Sequence, residues 1–135
     1  MRKLLYTPKS NDDYWKGERT SLENILSQHT SQSVLTLAKT KIELVDVRIF
    51  NGVFVGSYEL LIGRSDESVP HTVYIGEDDM WCSCVVYTSS LKEKKLCSHL
   101  IIGLIKLVDA SLLNLDDVQN YLHKWTERQE IAISN

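Results

Sequence analysis

Positions 82 to 84 read Cys-Ser-Cys, and after twelve intervening residues positions 97 to 99 read Cys-Ser-His. All three cysteines of the chain fall in this cluster with His99, so the thiols are gathered and not scattered through a core. Three thiolates and one imidazole complete the tetrahedral shell that a structural Zn2+ favours, and zinc is the default ion for such a donor set. A disulfide framework fits poorly, because an odd count leaves one thiol over and CxC neighbours bridge with difficulty. The spacing also dictates local structure. Side chains two apart on a strand share a face, which places Cys82 and Cys84 on a strand or hairpin. Inside a helix, residues two apart diverge by roughly 200°, so Cys97 and His99 must straddle a helix start, with Ser98 placed to cap its first turn. The apolar run that follows, Leu100, Ile101, Ile102, Leu104, Ile105, Leu107 and Val108, fits a helix buried on nearly all sides. A ββα unit is therefore expected, with two ligands from the hairpin and two from the helix start. His29, His71 and His123 have no cysteine spacing around them and read as surface or core histidines.

This arrangement resembles the SWIM zinc finger, a family marked by CxC, a variable spacer, and CxH entering a hydrophobic helix. The resemblance covers residues 70–109 and extends to the approach: a strand from His71 to Ile75, an acidic turn at Glu77, Asp78 and Asp79, then Met80 and Trp81. The recombination branch of that family carries alanine three positions after the ligand histidine. Here that position is Ile102, with Gly103 beside it able to supply close packing. The resemblance implies one structural zinc held by Cys82, Cys84, Cys97 and His99. SWIM modules occur in transposases, chromatin-remodelling ATPases and ubiquitin-linked signalling proteins. They also occur as small stand-alone proteins that act with RecA-like recombinase paralogues in homologous recombination, and a chain with little beyond one such finger is most similar to these.

At 135 residues the chain suits one domain with its own core. No apolar stretch is long enough to cross a membrane, since Leu100 to Ile105 is short and is followed by Lys106. The N-terminus does not read as a secretory signal, and thiols used as metal ligands suit a reducing compartment, so an intracellular protein, cytoplasmic or nuclear, is expected. The formal net charge of −3 argues against coating nucleic acid by charge alone. Any contact with DNA must come from a local patch, for which the candidate is Lys92, Lys94 and Lys95 in the spacer between the ligand pairs.

Along the chain, residues 1–17 are polar and irregular and read as a flexible arm. Thr20 with Glu23 forms a capping-box pattern ahead of a helical stripe through Leu22, Ile25, Leu26 and His29. Residues 30 to 33 interrupt it, so the helix either ends there or a second piece runs through Val34, Leu35 and Ala38. Asn51 and Gly52 mark a hairpin turn between two β-rich runs, Ile42 to Phe50 and Val53 to Ile62. Apolar parity switches between Leu44 and Val45, marking a bulge or a strand start. Asp116 with Gln119 forms another capping-box pattern, before a core-facing helix with Leu115, Val118, Leu122 and Trp125 on one side. The expected fold is α+β: an N-terminal helix, a four-stranded antiparallel meander carrying the zinc module, and two C-terminal helices.

A filled Cys3His shell leaves no position for substrate, so the expected zinc is structural and an enzyme is not expected. The HxE then CxxC order of a zinc deaminase is absent, as is a glycine-rich phosphate loop. Two readings remain. One is an adaptor of DNA recombination or repair that binds a RecA-like paralogue or another protein, through Phe54 and Tyr58 on one strand face or through Leu112 and Leu113. The other is an autonomous nucleic-acid-binding protein, a regulator or one related to transposition, that touches DNA through the lysine spacer. The acidic balance favours the adaptor.

Overall fold

A computed structural model describes residues 4–6, 16–63, 70–84 and 96–134. In chain order these form β1 (Leu4–Tyr6), α1 (Lys16–Ser27), α2 (Gln32–Lys41), β2 (Asp46–Asn51), β3 (Tyr58–Gly63), β4 (His71–Ile75), β5 (Met80–Cys82), α3 (Ser98–Asp109) and α4 (Leu115–Ser134). The strands make one antiparallel sheet in the order β1-β2-β3-β4-β5. The α+β class and the meander of β2 to β5 are as the sequence leads one to expect.

The differences have physical causes. Within the stretch read as a flexible arm, Leu4–Tyr6 pair with β2 and α1 already begins at Lys16; the rest of 1–15 lies outside the described residues. Three residues are too few to show a periodicity, yet they pair the backbone groups on the edge of β2. Thr20 therefore sits inside α1 and does not cap it, while Glu23 reaches across to Lys39 of α2 at 2.8 Å. The interruption after His29 is a true break: Ser31 caps α2 by accepting from the Val34 N–H at 3.3 Å. At the start of α4 the reciprocal cap is made two residues earlier than expected. The Asp117 N–H donates to Asn114 Oδ1 at 2.8 Å and the Asn114 N–H to Asp117 Oδ2 at 3.0 Å.

The largest departure is the β2–β3 hairpin. A two-residue turn at Asn51 and Gly52 would set Phe50 opposite Val53, and so Ile49 opposite Phe54. Instead Asn51 pairs with Tyr58, Ile49 with Leu60 and Val47 with Ile62. This register lines Val47, Ile49, Leu60 and Ile62, all fully buried, on one face, and burial of four large aliphatic chains outweighs a local turn preference. Residues 52–57 become the loop, closed by Gly52 N–H to Ser57 O at 2.9 Å and Ser57 N–H to Phe54 O at 3.0 Å, with Gly56 at φ +80°. The parity switch at Leu44 and Val45 falls just before β2 starts at Asp46, as a strand start.

One face of the sheet is covered by helices. Val73 and Ile75 of β4 and Met80 and Cys82 of β5 join the four residues above on that face. Against it lies α3, and it also meets α1 and α2, which explains an apolar surface all the way round. At Gly103 α3 lies close on the sheet: a Cβ there would stand 2.8 Å from Ile75 Cδ1. The expected close packing at Gly103 is thus met, beside a fully buried Ile102. From α4, Val118, Leu122 and Trp125 enter the core without exposure. Among the described residues no helix is long and apolar enough to cross a membrane.

Tyr121 of α4 ties this helix to the hairpin loop by donating its hydroxyl to the Gly56 carbonyl at 2.5 Å. Burial, then the nearby negative charges of Asp117, Glu77 and Asp78, push its phenol up to about 12. The unfolded phenol ionises near pH 10, so this contribution to stability is complete below pH 10 and is lost as pH rises toward 12. A tyrosinate absorbance titration of the protein minus that of Tyr121→Phe should show one transition near 12; a transition at 10 would contradict the contact.

Candidate metal centre

The β4–β5 hairpin and the start of α3 bring Cys82, Cys84, Cys97 and His99 together, with one ligand atom from each all within 4.8 Å of one another. In a tetrahedron with metal–sulfur bonds of about 2.3 Å, sulfurs stand roughly 3.8 Å apart. The cluster therefore fits one metal ion after small side-chain adjustments. The three cysteines are buried and His99 is half-buried.

Each position has a local cause. The turn from Gly76 to Asp79, closed by Gly76 N–H to Asp79 O at 2.9 Å, folds β5 back on β4 and sets Cys82 opposite Val73 on the core face. Past the strand end the ladder gains two more bonds, Ser83 N–H to Thr72 O and Thr72 N–H to Ser83 Oγ, both 3.0 Å. Cys84 lies beyond β5, not on it. Its sulfur reaches the cluster because the backbone curls around Cys82, with the Cys84 N–H donating to Cys82 Sγ at 3.4 Å. Such a bond to sulfur stabilises a thiolate.

On the other side Cys97, not Ser98, is the N-cap residue of α3, at φ −80° and ψ 166°, with Ser98 the first helical residue. A thiolate there meets the positive end of the helix. Leu96, the residue before it, is pinned to the α1–α2 connection: its N–H donates to His29 O at 2.8 Å and its carbonyl accepts from Thr30 Oγ1 at 3.1 Å. His99, one turn position into α3, has an Nδ1 that is buried without a hydrogen-bond partner. A buried imidazole nitrogen left so is costly unless it binds something.

The electrostatics agree. Cys97 is pulled down, chiefly by a hydrogen bond from the Cys82 thiol, while Cys82 is pushed up by holding that proton and by burial. Three thiols packed this closely cannot all ionise in an apolar setting without a cation among them.

The remaining candidates fare differently. Lys92, Lys94 and Lys95 lie outside the described residues. Phe54 and Tyr58 do not share a strand face, because β3 starts at Tyr58 and Phe54 belongs to the loop. Phe54 is 61% exposed between Val53 and Val55, both more exposed still. Tyr58 is half-buried against the core and donates its hydroxyl to Leu112 O at 3.4 Å. Leu113 is buried and Leu112 packs on the core, so that segment is interior. His123 is exposed and pairs with Glu127 at 3.1 Å. His29 is half-buried, and its burial lowers its pKa. Sequence reasoning missed His71, whose ring lies 4.2 Å from that of His99. No family model, no curated protein and no solved structure matches the chain.

Proposed function

We propose that this chain is a zinc-stabilised accessory protein of DNA recombination or repair that works as an adaptor for a RecA-like recombinase paralogue. The observation that carries the reading is the four-ligand cluster joining a hairpin end to a helix start, with the spacing of a SWIM finger. Zinc is the ion because three thiolates and an imidazole are its preferred structural donors. A shell closed by four protein ligands gives no room for substrate, so the metal serves to hold a surface in place. Thiol ligands suit a reducing intracellular compartment. The net charge of −3 supports a protein partner over DNA.

The surface best suited to that partner is the loop of β2–β3, where Val53, Phe54 and Val55 form the one run of consecutive large exposed apolar residues among the described residues. Phe54→Asp should leave circular dichroism and zinc content unchanged, because the side chain is outside the core, and should abolish partner capture. Tyr58→Asp would instead damage the core. The test is a pull-down from native extract with tagged, zinc-loaded protein, scored for a RecA-like ATPase. Capture by the wild type and loss with folded Phe54→Asp support the reading. Equal capture by both would place the surface elsewhere, and no ATPase with the wild type would overturn the adaptor function.

A further inference from the structure

The β4–β5 hairpin brings more than two thiols to the metal centre. His71, the first residue of β4, has the parity of Val73 and Ile75 and so belongs to the core-facing side of the sheet. Its ring centroid lies 4.2 Å from that of His99, with the two planes inclined at 39°. The place of His71 is itself fixed: it pairs with Ile62 of β3 on one side, and the Thr72–Ser83 bonds lock the hairpin next to it on the other.

A ligand histidine on the first turn of a helix keeps two free side-chain torsions unless something holds its ring. Ligand rings are ordinarily oriented by neighbours around the metal, and losing such a neighbour costs metal affinity. On α3 the neighbours of His99 along the helix include Ser98 and Leu100, which are buried on their own account, and its ring meets the ring of His71 across the gap between helix and sheet. We infer that His71 is a positioning residue for the metal: by packing its ring, tilted, against that of His99 it holds the imidazole in its ligating orientation and covers it from solvent. The hairpin thereby grips the helix start twice, through the shared ion and through the ring contact. This rests on the reading of the four residues as a metal site, and it assigns no coordination to His71.

The test measures zinc affinity and release rate by competition with a chromophoric chelator, for wild type, His71→Ala, His71→Phe and His123→Ala. The visible spectrum of the Co2+-substituted proteins is recorded alongside. His71→Ala should bind zinc about 10-fold more weakly and release it faster, with the tetrahedral thiolate-rich Co2+ spectrum retained. His71→Phe should recover most of the affinity, because phenylalanine keeps the ring contact with His99. His123→Ala should match wild type. Wild-type affinity in His71→Ala would overturn the inference and leave the metal site standing. So would a His71→Phe as weak as His71→Ala, which would trace the effect to the ring nitrogens. A changed Co2+ spectrum in His71→Ala would make His71 a ligand and overturn its positioning role. A wild type that takes up no metal would overturn the metal site and this inference together.

Discussion

Cys97→Ala should lose the metal proposed for this site and, with it, the ordered β4–β5 hairpin end and the first turns of α3. Structural zinc in finger peptides contributes about 10 to 16 kcal/mol at neutral pH, against a net stability of about 5 to 15 kcal/mol for a whole domain. The effect spreads because Cys97 is the N-cap residue of the most buried helix, and Leu96 before it anchors the α1–α2 connection through His29 and Thr30. Metal analysis and far-ultraviolet circular dichroism of Cys97→Ala beside His123→Ala measure it. Near-stoichiometric zinc and full helicity in both would contradict the assignment. Cys84→Ala should behave like Cys97→Ala, although Cys84 lies in the bend beyond β5 and not on the strand.

The second large effect lies away from the metal. Trp125 is fully buried on α4, so Trp125→Ala should cost about 3 to 5 kcal/mol through lost burial and the cavity left behind. Its indole Nε1 is buried without a hydrogen-bond partner, a penalty of about 1 to 3 kcal/mol that phenylalanine does not carry. Trp125→Phe should therefore cost less than half of what Trp125→Ala does. Urea unfolding of the zinc-loaded proteins gives both values; equal losses would mean that the indole nitrogen is satisfied or that the site collapses around either side chain.

The sequence made the centre of this fold legible because metal ligation imposes spacing rules that few other uses of cysteine share. CxC and CxH each have one workable setting, and the structure has Cys82 at a strand end and Cys97 at a helix start. The helix α3 and the core face of α4 were legible for a related reason, since long periodic or wholly apolar runs leave little choice of partner. Short-range signals misled wherever a longer-range contact outweighed them. Asn51 and Gly52 favour a two-residue turn that does not form, because pairing Val47 and Ile49 with Ile62 and Leu60 decided the register. Asp116 and Gln119 fit a capping box, but Asn114 and Asp117 do so two residues earlier with the core stripe unchanged. Leu4–Tyr6 could be placed only by an edge strand that the local sequence does not reveal. His71 was invisible because its meeting with His99 joins a strand to a helix, and no spacing in a linear chain encodes that distance.

Zinc-edge X-ray absorption on the purified, metal-loaded protein tests the central claim most directly, since it counts and identifies the atoms around the ion. The account predicts three sulfurs at about 2.3 Å and one nitrogen at about 2.0 to 2.1 Å, with no oxygen in the shell. A shell with two sulfurs or fewer, or with a water or carboxylate oxygen among its ligands, would contradict it.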